Sequence, residues 1–267
     1  MTSLPVEPDL LARGGVRLEV DGPVVTVTLD RPEHRNAQTP ATWGALAAVG
    51  AGVTDEVRVV ILRGEGSSFS AGLDRRMLSP EGVPGEESLF ALLALDDEAM
   101  LDRIDAYQQG FTWLRDPRFV SIAAVQGYAI GAGFQLALAC DLRVLAADAQ
   151  LSMKETALGL VPDLTGTKPL VEAVGYSRAL EICATARFVG GAEAQEIGLS
   201  TAVVASSELT ATVADLAAAL CEPLAGAVRG TKALLQSAAT LDLDAQRRAE
   251  RTAQVARFRE LASLSGG

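Results

Sequence analysis

Histidine is almost missing from this 267-residue chain: His34 is the only one. A His-rich metal site, or a histidine relay anywhere else in the chain, is therefore excluded. Cysteine is also scarce. Cys140, Cys183 and Cys221 lie far apart and match no zinc spacing, so no metal is expected. They read as small buried hydrophobes of a reduced, cytoplasmic protein. Lysine occurs only at Lys154, Lys168 and Lys232, and the net charge of −11 opposes non-specific nucleic-acid binding while leaving room for a local basic patch on an anionic ligand. Aromatics make up 4% of the residues, so the core has to be built from Ala, Val, Leu and Ile. The opening MTSLPVEPDLLARGG has acids and prolines where a leader peptide needs a basic flank and an apolar run. No uncharged, strongly apolar stretch reaches the roughly 18 residues of a membrane span. The nearest, 119–140, is interrupted by Gln126, Gly127, Gly131, Gly133 and Gln135, and reads as buried strand, turn and helix.

What is present points to order. Hydrophobic residues are 49% and charged residues 21%, which excludes a disordered chain. The length suits one large domain, or a domain with a small appendage. Residues 16–20 and 24–29 flank Asp21-Gly22-Pro23 as a hairpin. A polar loop, 31–36, follows, and Asn36 is placed to cap an Ala-rich helix over 41–53. Buried strands are predicted at 57–62, 119–125 and 142–146, with shorter ones at 150–153 and 201–204. Helices are predicted at 134–140, 164–174 and 177–184, and 208–267 has helical periodicity almost throughout. Strand–helix units first and a helical tail last argue for an α/β fold, with a core over 1–200 and a helical C-terminal region over 201–267.

Two turns carry the chemistry. One is Phe69-Ser70-Ala71-Gly72-Leu73-Asp74, after a strand and a Gly/Ser loop; the other is the glycine-rich 127–133, between a buried strand and a buried helix. Each puts small residues where backbone must approach something closely, and each leaves peptide N–H groups near a helix start. Two such groups converging would make an oxyanion hole. Taken singly, each turn is equally well a tight strand-to-helix connection.

In their order and spacing these segments resemble the crotonase superfamily, the enoyl-CoA hydratases and isomerases. The resemblance runs through Arg31-Pro32-Glu33-His34-Arg35-Asn36-Ala37, Val59 to Gly64, Phe69 to Asp74, Ala123 to Gly133, Ala139 to Arg143, Glu155 with Gly159-Leu160, and Ala194 to Leu199. It implies a spiral of ββα units with a C-terminal helical trimerisation region, hence a homotrimer or a dimer of trimers. It implies an acyl-CoA thioester as ligand, with coenzyme A part of the substrate and no further cofactor. By position the oxyanion donors are the backbone N–H groups of Leu73 and Ala132, with Leu73 bulkier than the family's usual alanine. Arg35, Ala37, Ala71, Asp74, Arg75 and Arg76 match stretches around the CoA moiety and thioester, and Lys232 is placed to reach a CoA phosphate. The stretch 79–102, with Glu81, Glu86 and Glu87, is expected to flank the acyl-tail pocket.

The chain departs from the hydratase pattern where the water would be held. Hydratases hold and activate a water with two glutamates; here the first position is Gln135 and the second is Glu155. An amide can orient a water but cannot accept its proton. One carboxylate suffices for double-bond isomerisation, in which Glu155 moves a proton from C2 to C4. Asp163, where hydratases carry glycine, matches an acid of the dienoyl-CoA isomerases. The remaining readings are hydration, with Gln135 or Asp163 helping Glu155 hold a water, and a non-catalytic acyl-CoA binder. Asp163 also follows Pro162 ahead of a helical pattern, which suits a helix N-cap, Gln135 suits a satisfied core amide, and Glu155 suits a helix-start or ion-pair residue.

Overall fold

The computed structural model describes residues 3–86 and 88–265, the side chains of Leu264 and Ser265 excepted. Glu87 lies outside the described residues. The chain opens with helix α1 (Pro8–Gly14), which no pattern had suggested; it starts on Pro8 and ends at Gly15 in the left-handed region, the usual asymmetry of helix ends. Strands β1 (Val16–Asp21) and β2 (Val24–Leu29) form the expected hairpin, paired Val16 to Leu29 and Asp21 to Val24. Helix α2 (Pro40–Gly52) follows, and its small apolar residues let it pack between α1 and its later neighbours. Asn36 does not cap it. Its amide donates instead to Glu65 O and Ser68 O, and its Oδ1 accepts Arg31 N–H, so it pins a distant loop. Thr39 is the N-cap of α2, in a capping box with Thr42, whose Oγ1 accepts Thr39 N–H at 3.2 Å, and Glu86 adds to it by accepting Thr39 Oγ1 at 2.6 Å and Ala41 N–H at 3.1 Å.

Strand β3 (Val59–Gly64), short helix α3 (Leu89–Leu92) and helix α4 (Asp97–Thr112) come next. Two spiral turns then place one strand in each of two sheets. The first is β4 (Val120–Val125), β5 (Tyr128–Ile130) and α5 (Ala132–Ala139). The second is β6 (Leu142–Ala146), β7 (Gln150–Ser152) and α6 (Thr167–Val174). Helix α7 (Tyr176–Thr185), strand β8 (Val189–Gly190), helix α8 (Gly191–Glu196) and strand β9 (Ala202–Val204) lead into α9 (Leu209–Cys221), α10 (Ala225–Ala238) and α11 (Leu243–Ser265).

The large sheet runs β1-β2-β3-β4-β6-β9, parallel after the first hairpin, and the small one runs β5-β7-β8. Strand β4 is buried at every position, as a central parallel strand covered on both faces must be. Its one buried hydroxyl, Ser121, donates to Leu114 O and meets Asp141. Most of the core lies on the α2, α4 and α5 side, and α9 covers the opposite face through Leu209, Val213 and Ala217. The chain beyond residue 200 therefore still belongs to the core: β9 is its edge strand and α9 its second cover, while α10 and α11 extend beyond. No single helix among the described residues is long and apolar enough to cross a membrane.

Candidate active site

The two turns meet along a short parallel pairing. Phe69 N–H donates to Gln126 O, Ser70 N–H to Tyr128 O, and Ile130 N–H to Ser70 O, so the loop after β3 runs alongside β5. The glycines permit this closeness. A Cβ on Gly72 would lie 2.2 Å from Ile130 O and 3.4 Å from Ala132 N, and one on Gly133 would lie 2.5 Å from Ser70 O. Any side chain at either position would push the turns apart.

Both candidate donors are free of chain acceptors among the described residues. Leu73 sits in a parallel bridge with Gln38, in which Gln38 N–H donates to Gly72 O and Gln38 O accepts Asp74 N–H. In that register Leu73's own N–H and C=O face away from Gln38. Ala132 is the first residue of α5, so its N–H has no partner within the helix, and the helix dipole adds positive potential there. The Leu73 side chain packs against the core.

Glu155 opens a 3-10 turn, Glu155–Leu158, directly after β7. Its carboxylate lies against Gly131: a Cβ there would be 3.2 Å from Oε1. Oε1 accepts Gln135 Nε2 at 2.7 Å, whereas Oε2 is buried without a partner. Burial pushes the Glu155 pKa up; its own backbone N–H and Gln135 oppose the shift, and the negative charge of Asp163 adds to it. A buried carboxylate with a raised pKa and one free oxygen is suited to carry a proton.

Gln135 is fully buried on α5, and its Oε1 accepts both Leu164 N–H at 2.9 Å and Gly166 N–H at 3.2 Å. Two N–H donors at one end fix the amide orientation and aim Nε2 at Glu155. Its carbonyl is fully used within the protein, so Gln135 acts as a clamp on Glu155 and on the 164–166 turn. Gly166 is required beside it, since a Cβ there would lie 2.7 Å from Gln135 Cγ.

Asp163 is not a helix cap: α6 begins at Thr167 with Gly166 before it. Its carboxyl reaches solvent, yet enough protein surrounds it to raise its pKa, and its main-chain oxygen accepts Gln108 Nε2 at 2.6 Å.

The residues expected around a CoA moiety divide into two groups. Arg35 is exposed, in the left-handed region at φ 51°, with its guanidinium 5.9 Å from the Tyr128 ring centroid and its carbonyl accepting Ala71 N–H. Arg75 is exposed and makes no hydrogen bond or ion pair among the described residues. Ala37 and Ala71 line the same loops, half-buried. Asp74 corrects its expectation. Its carboxylate is buried and bound by Arg76 through Nε and Nη2 and by Arg31 Nη2, which hold its pKa down to about 2, with Arg76 the larger cause. It braces the loop, and it neutralises Arg76 as well. Lys232 is corrected too. Its ammonium is buried and donates to Asp116 O, Phe119 O and Asp141 Oδ2 at 2.6–2.7 Å, so it ties α10 to the core and has no donor left for a phosphate.

Sequence reasoning passed over Gln38 and Trp43. Gln38 is fully buried, takes Trp43 Nε1–H at 2.8 Å and donates to Ser70 Oγ at 3.0 Å. A glutamine beside a threonine gives no local sign of such a role.

Comparison with known proteins places the chain in a family. The family model described as enoyl-CoA hydratase/isomerase matches residues 19–266. A Thermobifida fusca YX protein assigned as an enoyl-CoA hydratase, solved in complex with acetoacetyl-CoA, is similar at 52% identity and TM-score 0.92, covering 95% of this chain and 98% of that one. Its complex with CoA matches at 50% identity and TM-score 0.92, covering 98% of this chain and 100% of that one. The peroxisomal Delta(3,5)-Delta(2,4)-dienoyl-CoA isomerase of Arabidopsis thaliana is 34% identical over 228 residues, 82% of this chain and 80% of that protein. The (E)-benzylidenesuccinyl-CoA hydratase of Thauera aromatica is 33% identical over 232 residues, 86% of this chain and 83% of that protein. With fold, paired turns and the span of the match in agreement, the chain belongs to the enoyl-CoA hydratase/isomerase family, the crotonase superfamily.

Proposed function

We propose that this protein shifts a carbon–carbon double bond in an acyl-CoA thioester, with Glu155 carrying the proton. The observation that supports it most is the Glu155 carboxylate: one oxygen clamped by Gln135, the other buried and unpartnered, beside the turn that presents Ala132 N–H. The thioester oxygen accepts from Leu73 N–H and Ala132 N–H, and these bonds strengthen as negative charge builds on it. Glu155 Oε2 removes a C2 proton from a 3-enoyl thioester. The electron pair spreads over C2, C3, C4 and the thioester oxygen. The Glu155 carboxyl then returns the proton at C4, leaving the double bond at C2–C3. No water is consumed and every atom is accounted for. Addition of water asks more of the site, because Gln135 takes no proton and its carbonyl already serves Leu164 and Gly166.

The acyl-CoA ligand is supported by the Thermobifida fusca complexes with CoA and acetoacetyl-CoA. Arg35 and Arg75 are the exposed cations available to its phosphates. CoA enters as part of the substrate, and the chemistry uses no other cofactor. A second reading rests on Asp163. Its charge raises the Glu155 pKa, so the two acids can divide deprotonation and reprotonation on a 3,5-dienoyl substrate, as the likeness to the Arabidopsis isomerase suggests. We also propose a homotrimer, or a dimer of trimers, assembled through α10 and α11, where Leu235, Leu243 and Phe258 are exposed; light scattering on the purified protein reads the mass directly.

The deciding experiment supplies trans-2-enoyl-, 3-enoyl- and 3,5-dienoyl-CoA in turn. The expected result is turnover of a 3-enoyl or dienoyl substrate, lost in Glu155→Gln. Fast hydration of the 2-enoyl substrate that survives Glu155→Gln would overturn the reading.

A further inference from the structure

An N–H can stabilise a developing oxyanion only if its peptide plane is held at the right angle. The Leu73 N–H shares a peptide with the Gly72 carbonyl, and in a trans peptide the two point in opposite directions. Whatever holds Gly72 O therefore aims Leu73 N–H. That anchor is Gln38, whose own N–H donates to Gly72 O at 2.7 Å. The far side of Gly72 is held as well: its N–H donates to Ser70 Oγ at 3.1 Å. The two anchors are joined. Gln38 Nε2 donates to Ser70 Oγ at 3.0 Å, Ser70 Oγ donates to Asn36 O at 2.7 Å, and Gln38 Oε1 accepts Trp43 Nε1–H at 2.8 Å. Both Gln38 and Ser70 have no exposed surface, and each polar atom of this chain of bonds has a partner. A fully satisfied buried network is rigid, and loss of one member leaves several others unpaired.

We infer that Ser70 and Gln38 are positioning residues that, acting through Gly72, aim the Leu73 N–H at the substrate carbonyl. This rests on the oxyanion reading of the preceding subsection. Burial alone would require partners for these two side chains. It would not require both to converge on the residue that carries the Leu73 peptide.

The test compares wild type, Ser70→Ala, Ser70→Cys and Gln38→Met for kcat, KM, melting temperature and the infrared carbonyl stretch of bound butyryl-CoA labelled at its thioester carbonyl. In Ser70→Ala and Gln38→Met kcat is expected to fall about 10- to 100-fold, with KM moving less than about threefold, because the misaligned donor matters most once charge has developed. The carbonyl stretch should return part of the way toward its value in water. Ser70→Cys, which keeps a weak donor and acceptor on a somewhat larger atom, should recover part of both losses and carries the comparison if Ser70→Ala does not fold. Lowered melting temperatures with kcat and the carbonyl stretch unchanged would overturn the inference and leave a purely structural network. Wild type with no carbonyl shift at all would instead remove the oxyanion reading, and this inference with it.

Discussion

An alanine at Gly72 would carry its Cβ to 2.2 Å from Ile130 O, where ordinary contact begins near 3.4 Å. The turns must then separate by about 1 Å at the point where Leu73 and Ala132 present their N–H groups, a misplacement that costs about 10² in rate. Outright loss of one donor costs about 10²–10³, so kcat should fall within that range. The substitution also places a side chain at φ +83°, a strain of about 1–3 kcal/mol that lowers the melting temperature whatever happens to catalysis. Gly22→Ala separates the two effects. Gly22 has φ +55° in the β1–β2 turn, with nothing within 4 Å of a built Cβ, so it carries the backbone strain without moving the site. Steady-state kinetics on a 3-enoyl-CoA and thermal melts of both variants make the comparison. Equal kcat for Gly72→Ala and Gly22→Ala, both folded, would refute the claim that these turns act as a pair.

Glu155→Gln should lower kcat by about 10²–10⁴ while making the protein more stable at neutral pH. Burial raises the folded pKa of Glu155, so the folded state holds this proton more tightly than the unfolded chain and stability falls as pH rises between the two values; the melting difference should vanish below about pH 4. The same shift puts the acid limb of kcat/KM above the ordinary carboxylate range, and Asp163→Asn, which removes a charge that raises it, should move that limb down. Gln135→Glu brings a second acid against Glu155 and removes its hydrogen-bond donor; isomerisation at neutral pH should fall, and hydration of trans-2-enoyl-CoA should rise by about 10² in a coupled assay. Lys232→Met strips Asp141 of its ammonium partner and should cost about 3–5 kcal/mol in denaturant melts, with KM for the thioester unchanged; a raised KM would restore Lys232 to the ligand site.

Much of this molecule is written in local pattern. The β-branched runs of β2, β3 and β4, the two small-residue turns and their order, Glu155, and the amide at Gln135 all stand in the sequence, because strand propensity, turn chemistry and side-chain ionisation belong to the residues themselves. Other features have no local signature. Strand β5, three residues inside a glycine-rich turn, exists because Ser70 and β7 pair with its two edges. Helix α9 reads as the start of a helical tail, and only its seat on β3, β4 and β6 makes it part of the core. Lys232 and Asp74 look like surface charges until Asp141, Asp116 O and Phe119 O surround the one and Arg76 and Arg31 hold the other. Gln135 could have held a water until Leu164 and Gly166 arrived to take its carbonyl. What a residue can donate, accept or bury is local. Which of those capacities remains free for chemistry depends on partners brought from tens of residues away, and only the folded chain supplies them.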